Sequence, residues 1–190
     1  MQNHGHAEPR PFTRDEFDHM VRVGLFGPDE RVELVEGVVV RGAISRGPRE
    51  SPLVRTRMAL LSAFATTHQV RCHMEMAVGR LTQVRPDFVM VPRDDIAAVE
   101  DVVEKADLVV EVVDTLLDFC RHDKASLYAR AEVEEYWVVN VFQHCLEVYR
   151  KPRNAGRTGW GYGSRGVLWP ADSVMPLSTR EFSLRVADLV

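Results

Sequence analysis

Asp107-Leu108-Val109-Val110-Glu111-Val112-Val113-Asp114 reads as the central strand of a sheet. Its β-branched run is almost unbroken, as expected for a strand covered on both faces; a strand with one wet face alternates apolar and polar residues. Glu111 interrupts it in the middle. A carboxylate buried there is costly unless it is paired or coordinates a cation, so the choice lies between a structural ion pair and a working site.

A second acid sits in a similar setting. Arg85-Pro86-Asp87-Phe88-Val89-Met90-Val91 predicts a strand over about 86–92, with Asp87 either in it or at its entry. Downstream, Lys124 opens a helical stretch predicted over about 123–131, followed by strands at 135–141 and 145–150. Two buried carboxylates and a lysine point to a hydrolytic metal site that cuts phosphodiester bonds. Magnesium takes oxygen ligands and keeps several waters, lowers the pKa of a bound water and offsets charge on phosphoryl oxygens. An ammonium adds a point charge for orienting water or stabilising the transition state. Taken alone, Lys124 would be an ordinary solvated helix residue.

The flanking segments complete an α/β pattern. Thr13-Arg14-Asp15-Glu16 has the form of a capping box, with Phe17, Met20 and Val21 at helical spacing and Gly24 as the stop. Arg31 to Val40 alternates apolar and acidic residues around Gly37, predicting a hairpin or bent strand pair whose Glu33 and Glu36 would ordinarily be exposed. Residues 52–68 predict a core-packing helix through Leu53, Met58, Leu61 and Phe64. Strand character returns at 70–78, and 93–106 reads as an acidic connector. The glycine-, arginine- and aromatic-rich stretch 152–170 reads as a loop or hairpin flap, and Glu181 to Val190 as an edge strand or short terminal element. Tyr136 and Trp137 read as core.

At 190 residues the chain fits one domain, residues 1–190, with 1–11 expected to be flexible. The net charge of −4 argues against a protein that coats nucleic acid non-specifically, while leaving room for a locally basic cleft. Cys72, Cys120 and Cys145 form no C-x-x-C pair, which excludes a zinc ribbon and fits a reducing compartment. There is no apolar run of roughly 18 residues for a spanning helix and no apolar signal-peptide segment near Met1, so a cytoplasmic, membrane-free protein is expected. No G-x-G-x-x-G follows a predicted strand and there is no G-x-x-x-x-G-K-[ST], which ranks a Rossmann or P-loop nucleotide enzyme low. Arg41, Arg46, Arg49, Arg55 and Arg57 cluster with only Glu50 opposing them; Arg46, Arg49, Arg55 and Arg57 are the candidate phosphate contacts.

In sequence order, Val32-Glu33-Leu34-Val35-Glu36-Gly37, Arg85-Pro86-Asp87, Val110-Glu111-Val112-Val113 and Lys124…Tyr128…Glu135-Tyr136-Trp137 resemble the Uma2 family of the PD-(D/E)XK nuclease superfamily. The resemblance runs from about Phe12 to Val148. It implies a restriction-endonuclease-like core, a mixed central sheet flanked by helices. It also implies a magnesium- or manganese-dependent endonuclease acting on DNA. By position Asp87 is the motif aspartate and Glu111 the motif glutamate, both metal ligands. Val113 stands where Glu-x-Lys would place its lysine, and Lys124 matches the families whose lysine has migrated to the following helix. Glu33 matches an early acidic position, as a further ligand or a supporting group. The chain departs from the family at Asp114, where serine is common, and at Pro52-Leu53, where histidine is. Those departures motivate the alternative, a catalytically inactive nuclease fold used for nucleic-acid binding or assembly. Nucleases that cut both strands of a duplex often pair, which makes a homodimer a candidate assembly.

Overall fold

A computed structural model describes residues 8–42, 50–93 and 102–190. The capping box at Thr13 forms as read: its hydroxyl accepts from the Glu16 amide, the Glu16 carboxylate accepts from the Thr13 amide, and α1 (Arg14–Arg22) follows. Next come β1 (Val32–Val35) and β2 (Val38–Arg41), paired antiparallel. Their two-residue turn holds Glu36 at φ 49° and Gly37 at φ 78°, the positive dihedrals that a tight hairpin requires. A Cβ on Gly37 would lie 2.3 Å from that of Pro11, so only glycine fits there.

The helix α2 (Glu50–Phe64) ends four residues before the expected 68, and His68 instead starts β3 (His68–Cys72). Its buried stripe also differs from the expected one. Thr56, Leu60, Ala63 and Phe64 are buried, whereas Met58 is exposed. Thr56 is tolerated because its hydroxyl donates to the Leu189 carbonyl at 3.1 Å.

The predicted strand 70–78 is two strands. His73, at φ 52°, breaks it into β3 and β4 (Glu75–Ala77). The chain then forms β5 (Gln83–Val84), β6 (Phe88–Pro92), β7 (Val102–Val103) and β8 (Leu108–Val113). Strand β8 is buried at every position, as its composition demands. A continuous helical stretch follows, comprising α3 (Leu117–Phe119), a π-helical turn (Cys120–Lys124) and α4 (Ala125–Arg130). It leads into β9 (Glu135–Asn140) and β10 (Cys145–Asn154). The stretch 152–170 takes part in a hairpin: β11 (Trp160–Leu168) pairs with β10 from Leu146↔Leu168 to Asn154↔Trp160. Short strands β12 (Ser173–Val174) and β13 (Leu184–Arg185) pair near the C-terminus.

Besides that two-stranded pair, two larger sheets result, one ordered β2-β1-β5-β4-β7 and the other β11-β10-β9-β8-β6-β3. In the larger sheet β8 and β9 are parallel, joined across one face by the α3–α4 stretch, while the other pairs are antiparallel. Leu108, Val110 and Val112 pack with α2 and the C-terminal Val186 and Leu189. Val109 and Val113 pack on the opposite face with Leu127, Tyr128 and Tyr136. Alternation therefore turns Glu111 toward α3–α4. Among the described residues no helix is long and apolar enough to cross a membrane.

Candidate active site

Two of the places where the chain passes between the sheets lie side by side, at His73 between β3 and β4 and at Arg85-Pro86-Asp87 between β5 and β6. The two crossings are tied by the His73 amide donating to the Asp87 carbonyl at 3.1 Å. Asp87 is thus a corner residue one position before β6 rather than a residue within the strand. It is nevertheless 97% buried, the complement of its 3% exposure. Its Oδ2 accepts the Val112 amide at 2.8 Å, which pins it beside the strand that carries Glu111, and its Oδ1 lies 3.6 Å from His73 Nδ1.

Lys124 does not open a helix. It ends the π-helical turn in the middle of the stretch from Leu117 to Arg130, where the Ala125 amide reaches back to the Cys120 carbonyl. Such turns recur at functional sites because the extra residue re-aims side chains. Here the Lys124 ammonium donates to Glu111 Oε1 at 2.8 Å and to Glu33 Oε1 at 3.0 Å. Glu33, on β1 of the smaller sheet, also accepts the Arg85 amide at 2.9 Å. Asp87, Glu111, Lys124 and Glu33, widely separated in sequence, thus come together where the two sheets meet, and all four are buried.

Tyr128, one turn beyond Lys124, donates its hydroxyl to Glu111 Oε1 at 2.7 Å. It went unassigned in the sequence reading, although Lys-x-x-x-Tyr spacing puts the two on one helix face. A cleft of about 250 Å³ opens beside the cluster, bounded by Glu33, Lys124, His73, Arg31, Arg85 and Phe119. Arg31 and Arg85 are basic residues at this cleft that the expected arginine cluster did not include. Of that cluster, Arg46 and Arg49 lie outside the described residues. Arg55 borders an adjoining groove with Asp114 and Thr115, which also line the cleft. Arg57 is exposed two positions further along α2, roughly 200° around the helix, and borders neither cavity.

Burial pushes the Glu111 carboxyl up to about 7; Lys124 opposes that rise, and the charges of Asp87 and Glu33 add to it. Burial also acts against the Lys124 ammonium, but Glu111 and Glu33 outweigh it and hold its pKa above the ordinary lysine value. Burial and the Glu111 charge raise the Tyr128 phenol, which stays a donor. The same two causes raise the Cys120 thiol, so the cysteine at the cleft wall is no nucleophile.

With all three carboxylates ionised, the cluster carries two negative charges more than its one ammonium offsets, the electrostatic match for a divalent cation. Among the described residues no group of three or more His, Cys, Asp and Glu side chains is arranged to hold a metal ion. Magnesium does not need one: it is commonly held by one or two carboxylates with waters and substrate phosphate. The hydrogen bonds to Glu111 fall on Oε1. Asp87 and Glu111 bring oxygen donors of the type such an ion takes.

The mixed sheet flanked by helices is the restriction-endonuclease-like fold, and the acids at its sheet junction sit on that framework. The chain belongs to the Uma2 family, described as "Putative restriction endonuclease", whose sequence profile matches residues 14–187. In structure it is similar to a protein from Anabaena variabilis described as a "putative nuclease belonging to DUF820", with a TM-score of 0.73 at 16% identity over 94% of this chain and 97% of that one. A weaker likeness, TM-score 0.38 at 17% identity, is to the type IIG restriction endonuclease BpuSI, over 56% of this chain and 12% of that one. No curated protein matches the sequence.

Proposed function

We propose that the chain is a magnesium- or manganese-dependent endonuclease that hydrolyses DNA phosphodiester bonds. The observation that carries this reading is the convergence of Asp87, Glu111 and Lys124 beside an open cleft. Asp87 and Glu111 would hold the ion. When bound, it would lower the pKa of a bound water and offset charge on the phosphoryl oxygens. Lys124 brings an ammonium to the cleft, where it orients the attacking water or stabilises the developing charge. Tyr128 and Lys124 fix Glu111, and the Val112 amide fixes Asp87, so both acids are preorganised. In this scheme Glu33 supports Lys124: it accepts from both the ammonium and the Arg85 amide, tying the helix to the smaller sheet. Arg31 and Arg85 are the phosphate contacts nearest the cluster.

The test is incubation of purified protein with plasmid DNA and magnesium or manganese. The wild type nicks or linearises the plasmid, and Asp87→Ala abolishes this while retaining the fold. Equal residual cleavage by the two proteins would sink the proposal. A second reading is a nuclease fold that binds nucleic acid without cutting it. It is favoured by the ammonium of Lys124 already engaging Glu111 and by the small number of metal donors. Titration calorimetry separates them: no affinity for manganese, with or without DNA, selects the non-catalytic reading.

A further inference from the structure

Phe142 is 82% exposed, at the tip of the four-residue turn between β9 and β10. The turn is anchored at several points. The Asn140 side chain accepts the Gln143 amide at 3.0 Å and donates to the Gln143 side chain at 2.9 Å, which also receives Arg121 at 3.4 Å. The Val141 amide donates to the Val113 carbonyl at 2.9 Å, which ties the turn to the end of the strand that carries Glu111. His144 closes it at φ 51°. A phenylalanine is thereby held out in water on a rigid support.

The groove beneath Phe142, about 470 Å³, is bordered by Arg55, His144, Asp114 and Thr115. Asp114 and Thr115 also border the cleft of the acid cluster, so the two spaces adjoin. Charge decides what would lie there. Arg55 and Asp114 bring opposite charges to its border, so the groove is poorly suited to a phosphate alone. An aromatic ring beside a guanidinium and an imidazole suits a flat, polar-edged, uncharged ring. Gln143 and His144, beside Phe142, are exposed polar residues, unlike the contiguous apolar patch of a protein interface.

We propose that Phe142 is a base-stacking residue, and that the groove it shares with Arg55 and His144 receives a nucleobase of the strand whose phosphate enters the acid-lined cleft. Stacking is open to any base, because each presents a π-face; an apolar side chain can also wedge between base steps. Phe142 would then fix the register of the strand across the cleft. This inference rests on the nuclease reading.

The test is binding of a labelled oligodeoxynucleotide, followed by fluorescence anisotropy with calcium in place of magnesium to slow turnover. Phe142→Ala is expected to weaken binding about tenfold and Phe142→Trp to retain it. An abasic substitution scanned along the strand should weaken the wild type at one position and have no effect there on Phe142→Ala. The exposed site makes unfolding an improbable cause of any loss, and an unchanged melting temperature checks that. Equal binding by wild type and Phe142→Ala overturns the inference while leaving the nuclease reading intact. So does a sedimentation profile in which Phe142→Ala dissociates a dimer, since the occupant is then a second copy. A wild type that binds no oligonucleotide overturns both.

Discussion

Glu111 and Glu147 lie in one row of the larger sheet, two strands apart, with Val138 between them. Both are buried, and both are met from above by the same helical stretch. Its π-turn sends Arg121 to Glu147 and Lys124 to Glu111. At Glu147 both oxygens are engaged: Arg121 and Asn140 reach Oε1, while Tyr149 and Arg165 reach Oε2 at 2.8 Å each. The net effect holds its carboxyl below the ordinary range. Burial acts against ionisation and is outweighed by the arginines and Tyr149. At Glu111 the partners are an ammonium and a phenol, both on one oxygen, with a cleft alongside and two further acids that push its pKa the other way. A buried carboxylate is therefore not itself a sign of chemistry. Forked arginines that satisfy the acid make a structural pair, whereas a partner set that leaves the acid short of positive charge marks a candidate site.

The difference predicts opposite consequences for the same conservative change. Glu111→Gln should lower plasmid cleavage by about 10³-fold or more, the rate equivalent of losing roughly 4 kcal/mol of transition-state stabilisation, while the metal-free protein melts within a few degrees of wild type. Glu147→Gln should do the reverse: manganese affinity close to wild type, and stability lower by about 3 kcal/mol, toward the low end for a broken buried pair because both arginines reach solvent. Calorimetric melting and manganese titration of both variants check the pair. If Glu147→Gln abolishes metal binding and leaves stability unchanged, the contrast is wrong.

How much of this contrast could be read in the chain varies with the distance over which each signal acts. The run around Glu111, the Glu36-Gly37 hairpin and the Thr13 capping box are local patterns, and all three form as read. Asp87 and Glu111 stand out by their apolar settings, but the weight on Lys124 and the place of Glu33 came only through the family resemblance, because convergence across two sheets leaves no spacing rule. Glu147 was invisible as a buried acid: Cys145-Leu-Glu-Val-Tyr149 alternates like a strand with one wet face, and only the packing of Arg121 and Arg165 over that face buries it. The π-turn was missed because one extra helical residue has no compositional mark, so Lys124 was assigned to a helix start. Met58 took a place in the apolar pattern that Leu60 and Thr56 fill.

Proton linkage sharpens the contrast further. A folded pKa below the unfolded one means that Glu147 contributes stability above the ordinary carboxylate range, and that this contribution is lost as pH falls through the folded value. Melting followed downward from neutral pH should therefore show a wild-type decline that is shallower in Glu147→Gln. The difference is bounded by about 1.4 kcal/mol per pH unit for one proton. Parallel curves for the two proteins would mean that the arginines do not hold Glu147 ionised.

The smallest effect is expected at Tyr128, and it probes whether Glu111 must be fixed as well as present. Tyr128→Phe removes one hydrogen bond to Oε1 and keeps the ring that packs on Tyr136 with centroids 4.9 Å apart. A hydrogen bond to a charged group is worth about 1.5–3 kcal/mol, and Lys124 still holds the same oxygen. The expected result is about a tenfold fall in cleavage rate with little change in melting temperature, measured under single-turnover conditions so that binding and chemistry separate. Tyr149→Phe, which removes the corresponding phenol from Glu147, is the control: it should leave cleavage unchanged, because the arginines there satisfy the acid without it.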